Sequence, residues 1–189
     1  ENAFNGSSIE HITIPPTVTH ICENSFHGCN NLHKFEFTSD SRLEIIGKDS
    51  FSYSSIESIT IPTHVKLIDE GAFSFCPNLK RVEFASDSEL QIISKSAFSN
   101  TLIEEISIPK QIKQISNYAF SSCNKLHKVE ILCDSKLEFI DSNAFSGTGI
   151  EKISIPSSLT FIGINAFLNC RFLKTIKIPK DSNLKEIHF

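Results

Sequence analysis

The chain has 189 residues, a hydrophobic fraction of 40% and a formal net charge of −4. This composition is too apolar for a disordered polar chain, and the charge gives no electrostatic reason to expect nucleic acid or an anionic membrane as partner. No apolar run approaches the roughly 20 residues needed to span a bilayer as a helix, so no membrane insertion is expected of this segment.

In chain order, eight phenylalanines set a two-beat rhythm. Phe4, Phe26, Phe51, Phe73, Phe98, Phe120, Phe145 and Phe167 are separated by 22, 25, 22, 25, 22, 25 and 22 residues, so every second one returns after 47. Such a period is the signature of a solenoid, in which one short unit stacks on copies of itself. The shorter unit begins at Ile9, Ile56, Ile103 and Ile150. In its second copy Ile59-Thr60-Ile61 alternates apolar and polar, which predicts a short half-buried strand. Pro15, Pro62, Pro109 and Pro156 follow these strands and end the pairing, because proline has no N–H to give. The longer unit begins at Leu32, Leu79, Leu126 and Leu173. It carries Asp40-Ser41, Asp87-Ser88, Asp134-Ser135 and Asp181-Ser182, whose side chains can start a turn. Between Ile68 and Leu79 the apolar offsets are roughly helical, but about ten residues allow at most one helical or 3₁₀ turn.

The expected fold is therefore α/β: a solenoid over 1–189 with one parallel strand per repeat on one face and short 3₁₀ or helical turns on the other. There are about eight repeats of alternating 22 and 25 residues. The chain contains no methionine and begins inside a repeat, and it reads as a fragment of a longer array.

The motif Ile153-x-Ile155-Pro156, Leu159, Ile162-Gly163, Ala166-Phe167, Cys170, Leu173 resembles leucine-rich repeats of the BspA-like surface-antigen class, first described in a treponeme. Ile59-x-Ile61-Pro62, Val65, Ile68, Ala72-Phe73, Cys76 and Leu79 match it with Asp69 in place of glycine. The longer units depart from it, and their D-S-x-L-E-x-I wording is similar to protist members, trichomonad proteins above all. The resemblance implies a leucine-rich-repeat horseshoe at the cell surface or secreted, with a role in cell adhesion and host–pathogen recognition of host-cell or matrix proteins.

Chemistry has little footing in these residues. Cys29, Cys76, Cys123 and Cys170 recur every 47 residues, which places neighbours roughly 10 Å apart across two coils, too far for a disulfide. They read as reduced, buried wedges, and Cys22 and Cys133 have no mates. There is no C-x-x-C pair, no G-x-S-x-G and no glycine-rich phosphate loop, so neither an enzyme nor a cofactor is expected. His11 and His33 fall together near Glu10, but two histidines make a weak metal-ligand set. Asn5-Gly6-Ser7 is a lone glycosylation sequon.

Stacking should align three outward columns. The first is Glu10, His33, Glu57, Lys80, Glu104, His127, Glu151, Lys174, where acid alternates with base and cross-strand pairing is expected. The second is His11, Lys34, Ser58, Arg81, Glu105, Lys128, Lys152, Thr175, mildly basic. The third is Thr13, Glu36, Thr60, Glu83, Ser107, Glu130, Ser154, Lys177. About 24 residues result, against roughly 20–30 per side in a standard interface. The expected activity is protein binding through this face, with His11, Lys34, Ser58, Arg81, Glu105, Lys128, Lys152, Glu57, Lys80, Glu104 and His127 as candidates. An intracellular scaffold using the same face and a self-associating structural stalk are the alternatives, and open apolar ends would favour an end-to-end homodimer.

Overall fold

The computed structural model describes residues 1–188. In chain order the strands are β1 (His11–Ile14), β2 (His20–Ile21), β3 (Lys34–Phe37), β4 (Ile45–Ile46), β5 (Ser58–Ile61), β6 (Leu67–Ile68), β7 (Arg81–Phe84) and β8 (Ile92–Ile93). There follow β9 (Glu105–Ile108), β10 (Gln114–Ile115), β11 (Lys128–Ile131), β12 (Phe139–Ile140), β13 (Lys152–Ser154), β14 (Phe161–Ile162), β15 (Thr175–Lys177) and β16 (Glu186–Ile187). Every ladder is parallel, and the chain winds as a solenoid with a core running its length.

Each coil contributes two strands where the sequence pattern suggested one. The two-residue strands β2, β4, β6, β8, β10, β12, β14 and β16 form an uninterrupted eight-stranded sheet in sequence order. A two-residue strand is too short to show a period of two, so its only trace in the sequence is one isoleucine per coil, buried in every coil before the last, such as Ile46 or Ile68.

The expected helical turns are absent: among the described residues there is no helix, and so none long and apolar enough to cross a membrane. The reason lies in where the turn's N–H groups go. Ala72 N–H bonds locally to Asp69 O (3.2 Å) and Ser74 N–H to Gly71 O (2.8 Å), but Gly71, Phe73 and Phe75 donate out of the turn to Lys95, Ala97 and Ser99 of the next coil. A helix keeps its donors inside beyond the first turn; here alternate donors build a third ladder from coil to coil. Two residues in each turn accordingly take a left-handed φ. The first column of these runs Asn2, Asn24, Asp49, Gly71, Ser96, Tyr118, Asn143, Asn165, and the second runs Gly6, Gly28, Tyr53, Phe75, Asn100, Ser122, Gly147, Asn169.

The phenylalanine column lies between them and stacks as a ladder. Ring centroids from Phe4 to Phe167 are 5.1–5.6 Å apart with planes within 9° of parallel. Phe51, Phe73, Phe98, Phe120 and Phe145 are wholly buried. Beneath them Cys29, Cys76, Cys123 and Cys170 do more than fill space. Each thiol donates to the carbonyl of Phe4, Phe51, Phe98 or Phe145 at 3.0 Å. Each is also met by Ser7, Ser54, Thr101 or Thr148 at 3.2–3.7 Å. All six cysteines are free thiols.

Candidate functional site

The outward columns fall in the expected register. His11 pairs with Lys34, Ser58 with Arg81, Glu105 with Lys128 and Lys128 with Lys152. All 24 side chains of the three columns are exposed. Alternation along the strands explains this: Ile59, Val82 and Ile106 turn inward, which forces their neighbours out.

The sheet that carries them is not continuous. β1 and β3 form a separate pair, and β5 to β15 form a six-stranded sheet. Four residue pairs join β1 to β3, β5 to β7 and β9 to β11. Among the described residues no ladder joins β3 to β5, and single pairs, Arg81↔Glu105 and Lys128↔Lys152, join β7 to β9 and β11 to β13. Proline accounts for the alternation. Where a longer unit follows a shorter one, the residue after the strand closes the ladder: Thr38 N–H bonds Ile14 O (3.3 Å) and Ala85 N–H bonds Ile61 O (3.1 Å). Where a shorter unit follows a longer one that residue is Pro62, Pro109 or Pro156, which has nothing to donate to Phe37, Phe84 or Ile131.

Each of these three seams opens as a shallow cleft on the strand face, of about 790, 650 and 430 Å³. The first is walled by Glu36, Asp40, Arg42, Ser58, Thr60 and His64. Thr38 Oγ1, in its lining, is buried without a hydrogen-bond partner. The second gathers Lys80, Arg81, Glu83, Glu104 and Glu105, and the third His127, Lys128, Glu130, Glu151 and Lys152. Of the candidate residues, His11, Lys34 and Glu57 lie outside all three. Asp40, Arg42 and His64 line the first cleft without being candidates on sequence; they follow the strands, where the residue pattern shows only turn chemistry.

The expected acid–base pairing along the first column is largely not made. Among the described residues only the His33–Glu57 step is joined (3.8 Å). Lys34 turns along its own strand to Glu36 (3.1 Å), while His127 and Lys128 converge on Glu105 at 3.5 and 3.1 Å. The hydrogen bond from Lys128 holds the Glu105 carboxyl below the usual carboxylate range, and the same bond raises the Lys128 ammonium. Exposed pairs gain too little to fix a long side chain in one partnership. Lys80, Arg81, Glu104 and Lys152 are left without an ion pair among the described residues.

The profile of the BspA-type leucine-rich repeat region matches residues 1–127 and 91–189 with six copies. The chain belongs to that family. Three crystal structures of leucine-rich repeat proteins resemble this BspA-type chain. The one from Bacteroides ovatus is 23% identical, with TM-score 0.70 over 96% of this chain and 64% of its own length. That from Treponema pallidum is 20% identical, with TM-score 0.62 over 89% of this chain and 69% of its own. That from Eubacterium ventriosum is 24% identical, with TM-score 0.53 over 94% of this chain and 56% of its own. At such identities the likeness is one of fold. No curated protein matches the chain. The leucine-rich repeat family is typically non-catalytic and its repeats generally serve protein interaction.

Proposed function

We propose that this BspA-type array is a non-catalytic protein-binding module that engages a host-cell or matrix protein through its strand face, in a protein held at the cell surface or secreted. The observation that carries the reading is the pairing of open seams with free charge. Arg81 and Lys152 project beside clefts in the ladder with no intramolecular ion pair among the described residues, so a ligand can take them without breaking one. The clefts recur with the 47-residue period, which gives one partner several footholds in register. Surface residence is supported by the family, and a protist source by the D-S-x-L-E-x-I wording alone. The chain is proposed to be one stretch of a longer array.

The test is the triple variant Arg81→Glu, Lys128→Glu, Lys152→Glu, assayed by biolayer interferometry on immobilised matrix proteins and by attachment to host cells. Binding should fall at least about tenfold, or about 1.4 kcal/mol, with the melting temperature held. Unchanged attachment would sink the assignment of this face. A scaffold inside the cell would use the same face, and a secretory leader in the complete gene separates the two readings.

A further inference from the structure

Among the described residues the strand face carries no exposed phenylalanine or tyrosine, but the turn side does. In the second left-handed column every described turn except two holds glycine, asparagine or serine. Those two hold Tyr53 (φ 60°) and Phe75 (φ 55°). Glycine adopts this conformation freely and asparagine tolerates it, whereas a bulky side chain is strained in it. Burial compensates only in part, since Tyr53 is 50% and Phe75 43% exposed. Their rings stack on each other at 4.9 Å with planes 2° apart. Strained, exposed aromatics held in one place point to use rather than packing.

The surroundings narrow the occupant. One coil before Tyr53 stands Gly28, where a Cβ would meet nothing within 4 Å, so no side chain of that position covers the pair. The His27 ring lies 5.6 Å from Tyr53, tilted by 60°. One coil beyond Phe75 stands exposed Asn100. Two rings set among a phenol, an imidazole, a carboxamide and bare backbone are far smaller than the roughly 800 Å² per partner that a stable protein interface needs. They match a small ligand with one apolar face and a hydroxylated edge. We propose that the Tyr53–Phe75 stack is a saccharide-binding site on the turn side, separate from the strand face, where a pyranose lays its C–H face against the Phe75 face turned away from Tyr53 while its hydroxyls meet the polar rim.

The experiment uses saturation-transfer NMR on the whole chain, with the methyl β-glycosides of glucose, galactose and N-acetylglucosamine as probes. It compares the parent with Tyr53→Asn/Phe75→Asn, which restores the residue type found elsewhere in the column. Transfer to at least one glycoside is expected in the parent and should drop at least about tenfold in the variant. The melting temperature should rise or fall by no more than about 2 °C, because strain is relieved as the stack is lost. A larger fall would show that the rings are kept for packing and would overturn the proposal. So would no transfer from any of the three glycosides, including the case where a protein partner depends on these two rings, or transfer that persists in the variant.

Discussion

At the scale of single residues, the cysteine column shows how a solenoid handles polar atoms in its core. Burial lifts the Cys76 thiol from 9.0 to about 12 and Cys123 to about 11, so both are protonated donors at any ordinary pH. At pH 8, iodoacetamide should modify Cys22 and Cys133 in the folded chain and spare Cys29, Cys76 and Cys123, as read by peptide mass spectrometry; rapid loss of Cys76 would contradict the buried bond. The linkage has a definite sign. The unfolded thiol releases its proton near pH 9 while the folded one holds it, so the stability these thiols contribute is complete below pH 9 and is lost progressively towards pH 12. Chemical melts across that window should show the decline. Phe73→Ala or Phe120→Ala opens a void between two parallel rings and should cost about 3–5 kcal/mol in urea melts. Tyr53 and Phe75 do not stand out in the sequence because a left-handed φ leaves no mark on one residue. The mark is in the column, where Gly28 and Asn100 flank them.

At the scale of elements, what could be read was what repeats with a recognisable period. Ile59-Thr60-Ile61 declared its strand, its inward side and its column neighbours. Leu67–Ile68 declared nothing, since two residues carry no period. The turn from Asp69 to Phe75 imitated a helix because its apolar spacing matches one, while the real constraint, donors leaving for the next coil, is set by a neighbour 22 or 25 residues away. Proline was legible as a strand terminator, but its effect on the adjacent strand was not. That effect is testable. Pro109→Ala supplies an N–H opposite the Phe84 carbonyl. The added hydrogen bond contributes about 1 kcal/mol and the freer unfolded chain removes a similar amount, so stability should hardly move. Hydrogen exchange should instead reveal a protected amide at 109 and slower exchange through β9. Partner binding at the second cleft should weaken as the seam closes, and an amide that exchanges freely would refute this origin of the cleft.

At the scale of the whole molecule, two lateral hydrogen-bond systems tie each coil to the next, the two-residue sheet and the turn ladder, while the strand sheet joins coils firmly only within a pair and breaks or thins at the seams. Stability in such an array grows by neighbour interfaces rather than by one central core. Because proline-bearing and aspartate-bearing coils obey different rules about which neighbour they can join, they are not interchangeable bricks. Excising one coil alone would set two of a kind side by side and misplace a seam, whereas gain or loss of a whole 47-residue pair leaves the pattern intact. Lineages of such proteins are thereby expected to lengthen and shorten two coils at a time.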